Sequence, residues 1–324
     1  IMPPVMGAAA FVMSRITGIP YSQIIVAAAI PAIFYYISVG MYVQLVAMKR
    51  NVNAREALGE VVNIREMLLS SLGFVLPLGI ILVLFLQGYS PMYVSFWAVI
   101  ASIALGLARR ASWREWIQGL TTGASTGATI AVSTATCGII VKVLVMTGLA
   151  TKLPIMVEAA SGGNLLLALT FTMLVSLILG TGVPTTPAYI IVAIFAAPVL
   201  VRLGLSLISA HMFVFFFAVM SMLTPPVAPA AIVASQVAGA GYVKTAIESC
   251  KAASVGLLIP FIFVMQPVFL AQASSIAQAT TAIVAALIML LSAQIAMVGQ
   301  YFAAVNPMER ALFFLSGLAL FVFC

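Results

Sequence analysis

Apolar runs of membrane-crossing length, separated by short polar connections, recur along the whole chain. Uninterrupted spans read at Tyr21–Val46, Met67–Leu86, Met92–Ala108, Ala253–Leu270, Ile276–Met297 and Ala311–Phe323. Most approach the roughly 20 apolar residues that a helix needs to cross a hydrocarbon core about 30 Å thick. The ten-residue alternation of membrane barrels is absent, so the spans are read as helices. The segment Asn51–Glu66 sets Arg55, Glu56, Glu60, Arg65 and Glu66 among Leu58, Val61, Val62 and Ile64, which predicts a helix lying along the membrane surface. After Arg109 and Arg110, the residues Trp113, Trp116, Ile117 and Leu120 recur at helical spacing. They predict a second surface helix with its indole rings at headgroup depth, followed by a separate span over Ala124–Leu149.

Composition sharpens this into a fold class. The chain of 324 residues is 64% hydrophobic and 6% charged, with a mean hydropathy of +1.23, against roughly 25% charged residues in soluble domains. A water-soluble fold is excluded; the expectation is an all-α, polytopic membrane protein with room for about ten crossings or half-crossings. Residue 1 is an Ile inside an apolar, Pro-rich run with no basic leader, so the natural N-terminus is expected upstream. The net charge of +7 comes from Lys and Arg scattered singly or in pairs, which reflects topology and not a nucleic-acid surface. Lys49, Arg50, Arg55, Arg65, Arg109, Arg110 and Arg114 place the loops after the first and third spans in the cytoplasm, and Gln87–Pro91 outside. Residues 151–164 then fall outside, and Lys244, Lys251, Glu309 and Arg310 inside. Arg15, Lys142, Lys152 and Arg202 fall on the outer side against the rule, Lys142 most awkwardly. Cys137, Cys250 and Cys324 lack paired spacing and are read as buried thiols. His211, the single histidine, is read as structural.

Two segments repeat. Ile1-Met2-Pro3-Pro4-Val5-Met6 resembles Leu223-Thr224-Pro225-Pro226-Val227-Ala228, and Ile30-Pro31-Ala32-Ile33-Phe34 resembles Ile259-Pro260-Phe261-Ile262-Phe263. The offsets are 225 − 3 = 222 and 260 − 31 = 229, so the second copy holds seven extra residues. With the topology above the two copies run in opposite directions, as an inverted repeat does. A Pro-Pro pair removes two N–H donors and pushes the preceding residues off helical geometry, which predicts carbonyls near Met222–Thr224 without helical partners. Unwound backbone survives in a membrane only when buried in protein or lining a wet cavity. The same holds for Gly180-Thr181-Gly182-Val183-Pro184-Thr185-Thr186-Pro187, between apolar arms Leu165–Leu179 and Ala188–Leu200. We read a re-entrant hairpin that enters from outside, turns near the midplane and returns.

These breaks put carbonyls, helix N-termini and the hydroxyls of Thr181, Thr185, Thr186 and Thr224 in mid-membrane. Such oxygens suit a hard cation like Na⁺, and N-terminal N–H groups suit a carboxylate. The candidate ion-binding residues are Gly180, Thr181, Gly182, Val183, Thr185, Thr224 and Pro225, with Met2 and Pro3 from the first copy; Thr185, Thr186, Tyr189 and Thr224 are the candidate substrate contacts. No Glu falls within the broken segments and the chain has no Asp, which argues against a carboxylate proton relay.

The string GTGVPTTPAY (Gly180–Tyr189), followed by HMFVFFFAVMSMLTPPVAPAA (His211–Ala231), resembles the large membrane subunit of TRAP transporters, closest to the fused permeases served by TAXI-type binding proteins. IMPPVMGAAAFVM (Ile1–Met13) and GIPYSQIIVAAAIPA (Gly18–Ala32) match the equivalent part of the first repeat. The resemblance implies Na⁺-coupled uptake of organic acids across the bacterial inner membrane by an elevator-type movement, with no cofactor and with substrate delivered by a periplasmic TAXI-type binding protein. It implies that Gly180–Thr186 is the second hairpin tip, Thr224–Val227 the break of its partner helix, and that the first hairpin precedes Ile1. The domain scheme that follows is 1–50, the end of the first repeat; 51–115, a surface helix and two connecting spans; 116–270, the second repeat; and 271–324, C-terminal spans. A membrane enzyme is disfavoured because there is no HExxH, no second His and no intramembrane acidic pair. A primary pump would need the phosphate-binding GxxxxGK[ST], which is missing. The alternative is a dicarboxylate carrier of related inverted-repeat fold that needs no binding protein.

Overall fold

Helix boundaries in this chain fall where capping chemistry and chain-breaking residues put them. The computed structural model describes residues 2, 6, 9–52, 64–181, 183–225, 227–271 and 276–323. Its helices are α1 Ala9–Thr17, α2 Tyr21–Lys49, α3 Ile64–Leu86, α4 Pro91–Ala108, α5 Trp113–Met146, α6 Leu149–Ser161, α7 Leu165–Gly180, α8 Thr185–Arg202, α9 Leu207–Met220, α10 Pro229–Ala238, α11 Tyr242–Ser254, α12 Ile259–Met265, α13 Ile276–Val298 and α14 Pro307–Phe323. No strand occurs among the described residues. Side-chain oxygens of Ser90, Asn164 and Ser206 accept bonds from first-turn N–H groups of α4, α7 and α9. Asn306 and Glu309 form a reciprocal capping box on α14, and Ser112 and Glu115 do so on α5. Ser112, through its backbone N–H and its hydroxyl, holds the exposed Glu115 carboxyl below the usual carboxylate range.

The expected all-α polytopic architecture is what the structure has. Four helical segments among the described residues are long and apolar enough to cross a bilayer: Tyr21–Lys49, Thr185–Arg202, Tyr242–Met265 and Ala277–Val298. On α4 the outward positions Met92, Phe96, Val99 and Leu107 are exposed apolar side chains, a surface that lipid covers and water does not favour. At the centre lies α9, which buries residues from Ser209 to Ala218 without interruption, as a helix apolar on all faces must. Around it pack α7, α8, α12 and α1. One apolar core joins Met13 of α1, Ile24 of α2, Tyr189 of α8, Phe213 of α9 and Phe263 of α12.

Three expectations shift. The surface helix at Trp113 and the span at Ala124 are one continuous helix of 34 residues, about 51 Å at 1.5 Å per residue. The segment 113–146 contains glycines but no Pro, and glycine weakens a helix without breaking it. Because that helix ends at Met146 and not at Leu149, Lys142 stands four residues from its end and is exposed, a short reach for a snorkelling amine. The span expected to start at Ala253 starts at Tyr242 and passes through a 3₁₀ turn at Val255–Leu258 into α12. Its polar beginning is tolerated because Glu248 pairs with Lys251 one turn on, at 3.1 Å. Of the surface helix expected at Asn51–Glu66, residues 53–63 lie outside the described residues.

Candidate functional site

Helices α7 and α8 form an antiparallel pair closed by a turn at one end and open at the other. Asn164 caps the start of α7, and Arg202 at the end of α8 meets Glu158 of α6 at 3.7 Å, so the open ends of both arms lie on one side. The Arg202 charge, costly to the topology by itself, therefore has a counterion beside it. The turn follows Gly180: the Thr181 hydroxyl donates to the Ile178 carbonyl at 2.6 Å and the Val183 N–H reaches the Gly180 carbonyl at 3.4 Å. Pro184 then opens α8 without a side-chain cap, leaving the first-turn N–H groups of Thr185 and Thr186 directed out of the helix end. Thr186 is buried and Thr185 half-buried. Gly182 lies outside the described residues.

The second break faces this turn. After Met220, the chain leaves helical geometry through Ser221-Met222-Leu223-Thr224 and re-enters it at Pro229. Ser221 is the residue that joins the two segments. It is fully buried, its hydroxyl donates to the Ala218 carbonyl at 2.7 Å, and its carbonyl accepts from the Thr224 hydroxyl at 3.4 Å. Across from it is Gly180, where an added Cβ would lie 2.8 Å from the Ser221 Cβ. The hairpin tip and the helix break are thus in direct contact, and only a glycine fits there. Sequence reasoning missed Ser221; a small residue immediately before the Pro-Pro break was the available signal.

The expectation of unpartnered carbonyls needs correction. The Met222 carbonyl accepts from the Ala230 N–H and the Thr224 carbonyl from the Ala228 N–H, both at 3.2 Å. The cause is Ala228, whose φ of 37° turns the first N–H groups of α10 back onto the end of α9. Pro225 is exposed beside Thr224, which is 9% exposed; Pro226 lies outside the described residues.

The first copy repeats this geometry. Met6 has a φ of 41°, and its N–H reaches the Met2 carbonyl at 3.3 Å. With 228 − 6 = 222 and 224 − 2 = 222, Met6 and Met2 correspond to Ala228 and Thr224. Only five non-Gly residues among those described have positive φ, so two at equivalent positions mark a shared local fold. Helices of 9 and 10 residues follow, α1 and α10. They end at Gly18 and Gly239, with φ of 72° and 59°. Pro3 lies outside the described residues, and Met2 is 46% exposed.

Tyr189 does not face the turn. It is fully buried, its hydroxyl 2.7 Å from His211 Nδ1 and its ring edge-on to Phe215. The lone histidine is thereby satisfied, as its structural reading required. Cys250 is half-buried and unpaired, whereas Cys324 lies outside the described residues. Among the described residues no cluster of three His, Cys, Asp or Glu could hold a metal ion, so the polar groups of the two breaks are hydroxyls and backbone. No curated protein and no solved structure matches the chain significantly. Residues 1–278 match the family described as Tripartite ATP-independent periplasmic transporter, DctM component. The match takes in the hairpin turn, both Pro-Pro breaks and the core that packs them together, and the chain belongs to that family.

Proposed function

We propose that this membrane component drives Na⁺-coupled uptake of organic acids, with carboxylate substrates handed over by a periplasmic binding protein of the TAXI type. The observation that carries the reading is the contact of Gly180 with Ser221. It brings the Thr181–Thr186 turn and Thr224 into one neighbourhood of neutral oxygens and N–H groups. Hydroxyl and carbonyl oxygens replace the hydration shell of a hard cation, while the uncapped N-terminus of α8 presents N–H groups and a positive dipole end to a carboxylate. Because cation and carboxylate neutralise each other, each favours the other's binding, and that mutual dependence is coupling. The closed pair α7–α8 moves with the substrate in an elevator-type step, and the protein sits in the bacterial inner membrane.

The experiment is uptake by proteoliposomes holding the full-length protein together with its binding protein. An inward Na⁺ gradient should be required and ATP should have no effect. Uptake that persists undiminished without Na⁺ overturns the coupling; uptake that ignores removal of the binding protein favours an independent carboxylate carrier.

A further inference from the structure

Away from the broken helices, a cavity of about 410 Å³ opens where the C-terminal ends of α2 and α13 meet α11, within the roughly 300–1,000 Å³ range of ligand pockets. Tyr42, Val46, Lys49 and Arg50 line it from α2, and Glu248 and Lys251 from α11. Its polar groups are ordered. The nearly buried Tyr42 hydroxyl donates to Glu248 Oε2 at 2.9 Å, and Lys251 Nζ donates to Glu248 Oε1 at 3.1 Å. Lys49 Nζ donates to the Val298 carbonyl at the end of α13. Arg50 is exposed and pairs with no carboxylate among the described residues.

Three cations thus face one carboxylate. Two helix C-termini add about half a negative charge each, but that of α13 is already met from outside the cavity by Arg310, which donates to the Ala296 and Met297 carbonyls at 2.6 and 2.7 Å. The lining keeps a positive surplus and suits an anion. Its depth identifies the kind of anion. Both α2 and α13 are apolar helices of membrane-crossing length, and the cavity sits at their last turns, where hydrocarbon gives way to headgroups. Val46 and Met297 supply an apolar wall, which a free hydrated anion does not use and the glycerol esters of a lipid do. The positive-inside reading makes this the cytoplasmic end, the leaflet side on which basic pockets between helices take anionic headgroups.

We propose that this cavity holds the phosphate of an anionic phospholipid, contacted by Arg50 and Lys251, with the Tyr42–Glu248 hydrogen bond setting the position of Lys251. Native mass spectrometry of the full-length protein tests it, with phosphatidylglycerol, phosphatidylcholine of the same acyl chains, and inorganic phosphate as probes. Phosphatidylglycerol should be retained over phosphatidylcholine and not be displaced by inorganic phosphate. Arg50→Gln with Lys251→Gln should weaken its retention about tenfold or more, Arg50→Gln alone about fivefold, and Arg50→Lys little. Arg50→Gln, at an exposed helix end, gives a reading even where the double variant does not fold. Removing the same charge outside the cavity, by Arg114→Gln with Lys152→Gln, should leave retention unchanged. Equal retention by the unmodified protein and Arg50→Gln, displacement by inorganic phosphate, or equal loss in the Arg114 and Lys152 control would each overturn the proposal.

Discussion

Gly180→Ala is the change to which the junction of hairpin and broken helix should respond most sharply. The new Cβ would lie 2.8 Å from the Ser221 Cβ, where ordinary carbon–carbon contact is about 3.5–4.0 Å, so turn and break must part by roughly 1 Å. Neither side yields easily: Ser221 is fully buried and short, and its hydroxyl is held by the Ala218 carbonyl. Overpacking of this kind costs about 1–3 kcal/mol. Ser221→Ala should not relieve it, because the Cβ remains. Ser221→Gly should, at a cost of its own of about 0.5–1 kcal/mol for backbone freedom. A double-mutant cycle on the apparent unfolding temperature in detergent, run beside Na⁺-dependent uptake, should therefore give a coupling of about 1–2 kcal/mol between positions 180 and 221, with Ser221→Gly partly restoring the transport that Gly180→Ala loses. Strictly additive effects, or Gly180→Ala behaving like the unmodified protein, would refute the contact and with it the shared site.

Two further predictions bear on the surroundings. Tyr189→Phe should lower stability by about 1–3 kcal/mol, because His211 Nδ1 is left buried without its partner; an unchanged unfolding temperature would deny the bond a structural role. In a cysteine-free background, an impermeant thiol reagent applied to intact cells should label Tyr89→Cys and spare Arg110→Cys, and the opposite pattern would invert the topology.

Much of this architecture could be read from the chain alone, because membrane helices advertise themselves by length and apolarity. The starts of α7 and α4 lie at or within one residue of the apolar runs read from Leu165 and Met92, and the caps Asn164 and Ser90 that fix them emerge from the structure. The Pro-Pro breaks and the hairpin turn follow from missing N–H donors and from glycine. What does not follow is where the displaced groups go. That Ala230 reaches back to Met222 depends on one positive φ at Ala228, a conformation that an Ala-Pro step does not announce. Partnerships such as Gly180 with Ser221, Tyr189 with His211, or Gln294 with the Ser38 carbonyl across 256 residues are products of tertiary packing. The fusion of two expected elements into α5 has a local lesson: without Pro, a polar first turn and an apolar remainder need not be separate helices.

The central claim is that the hairpin turn and the Pro-Pro break share one Na⁺ site, and Thr224→Val tests it most directly. The substitution keeps the shape of a side chain that is 9% exposed while removing one oxygen from a site with no carboxylate to compensate. Thr170→Val is the matched control, because the Thr170 hydroxyl is already spent on the Leu166 carbonyl at 2.8 Å within α7. Initial uptake is measured against Na⁺ concentration for both variants and the unmodified transporter. A loss of about 1–3 kcal/mol raises the Na⁺ requirement of Thr224→Val about fivefold to a hundredfold, at 1.4 kcal/mol per tenfold, and leaves Thr170→Val unchanged; identical Na⁺ dependence in all three would contradict the shared site and leave the Pro-Pro break as a structural kink alone.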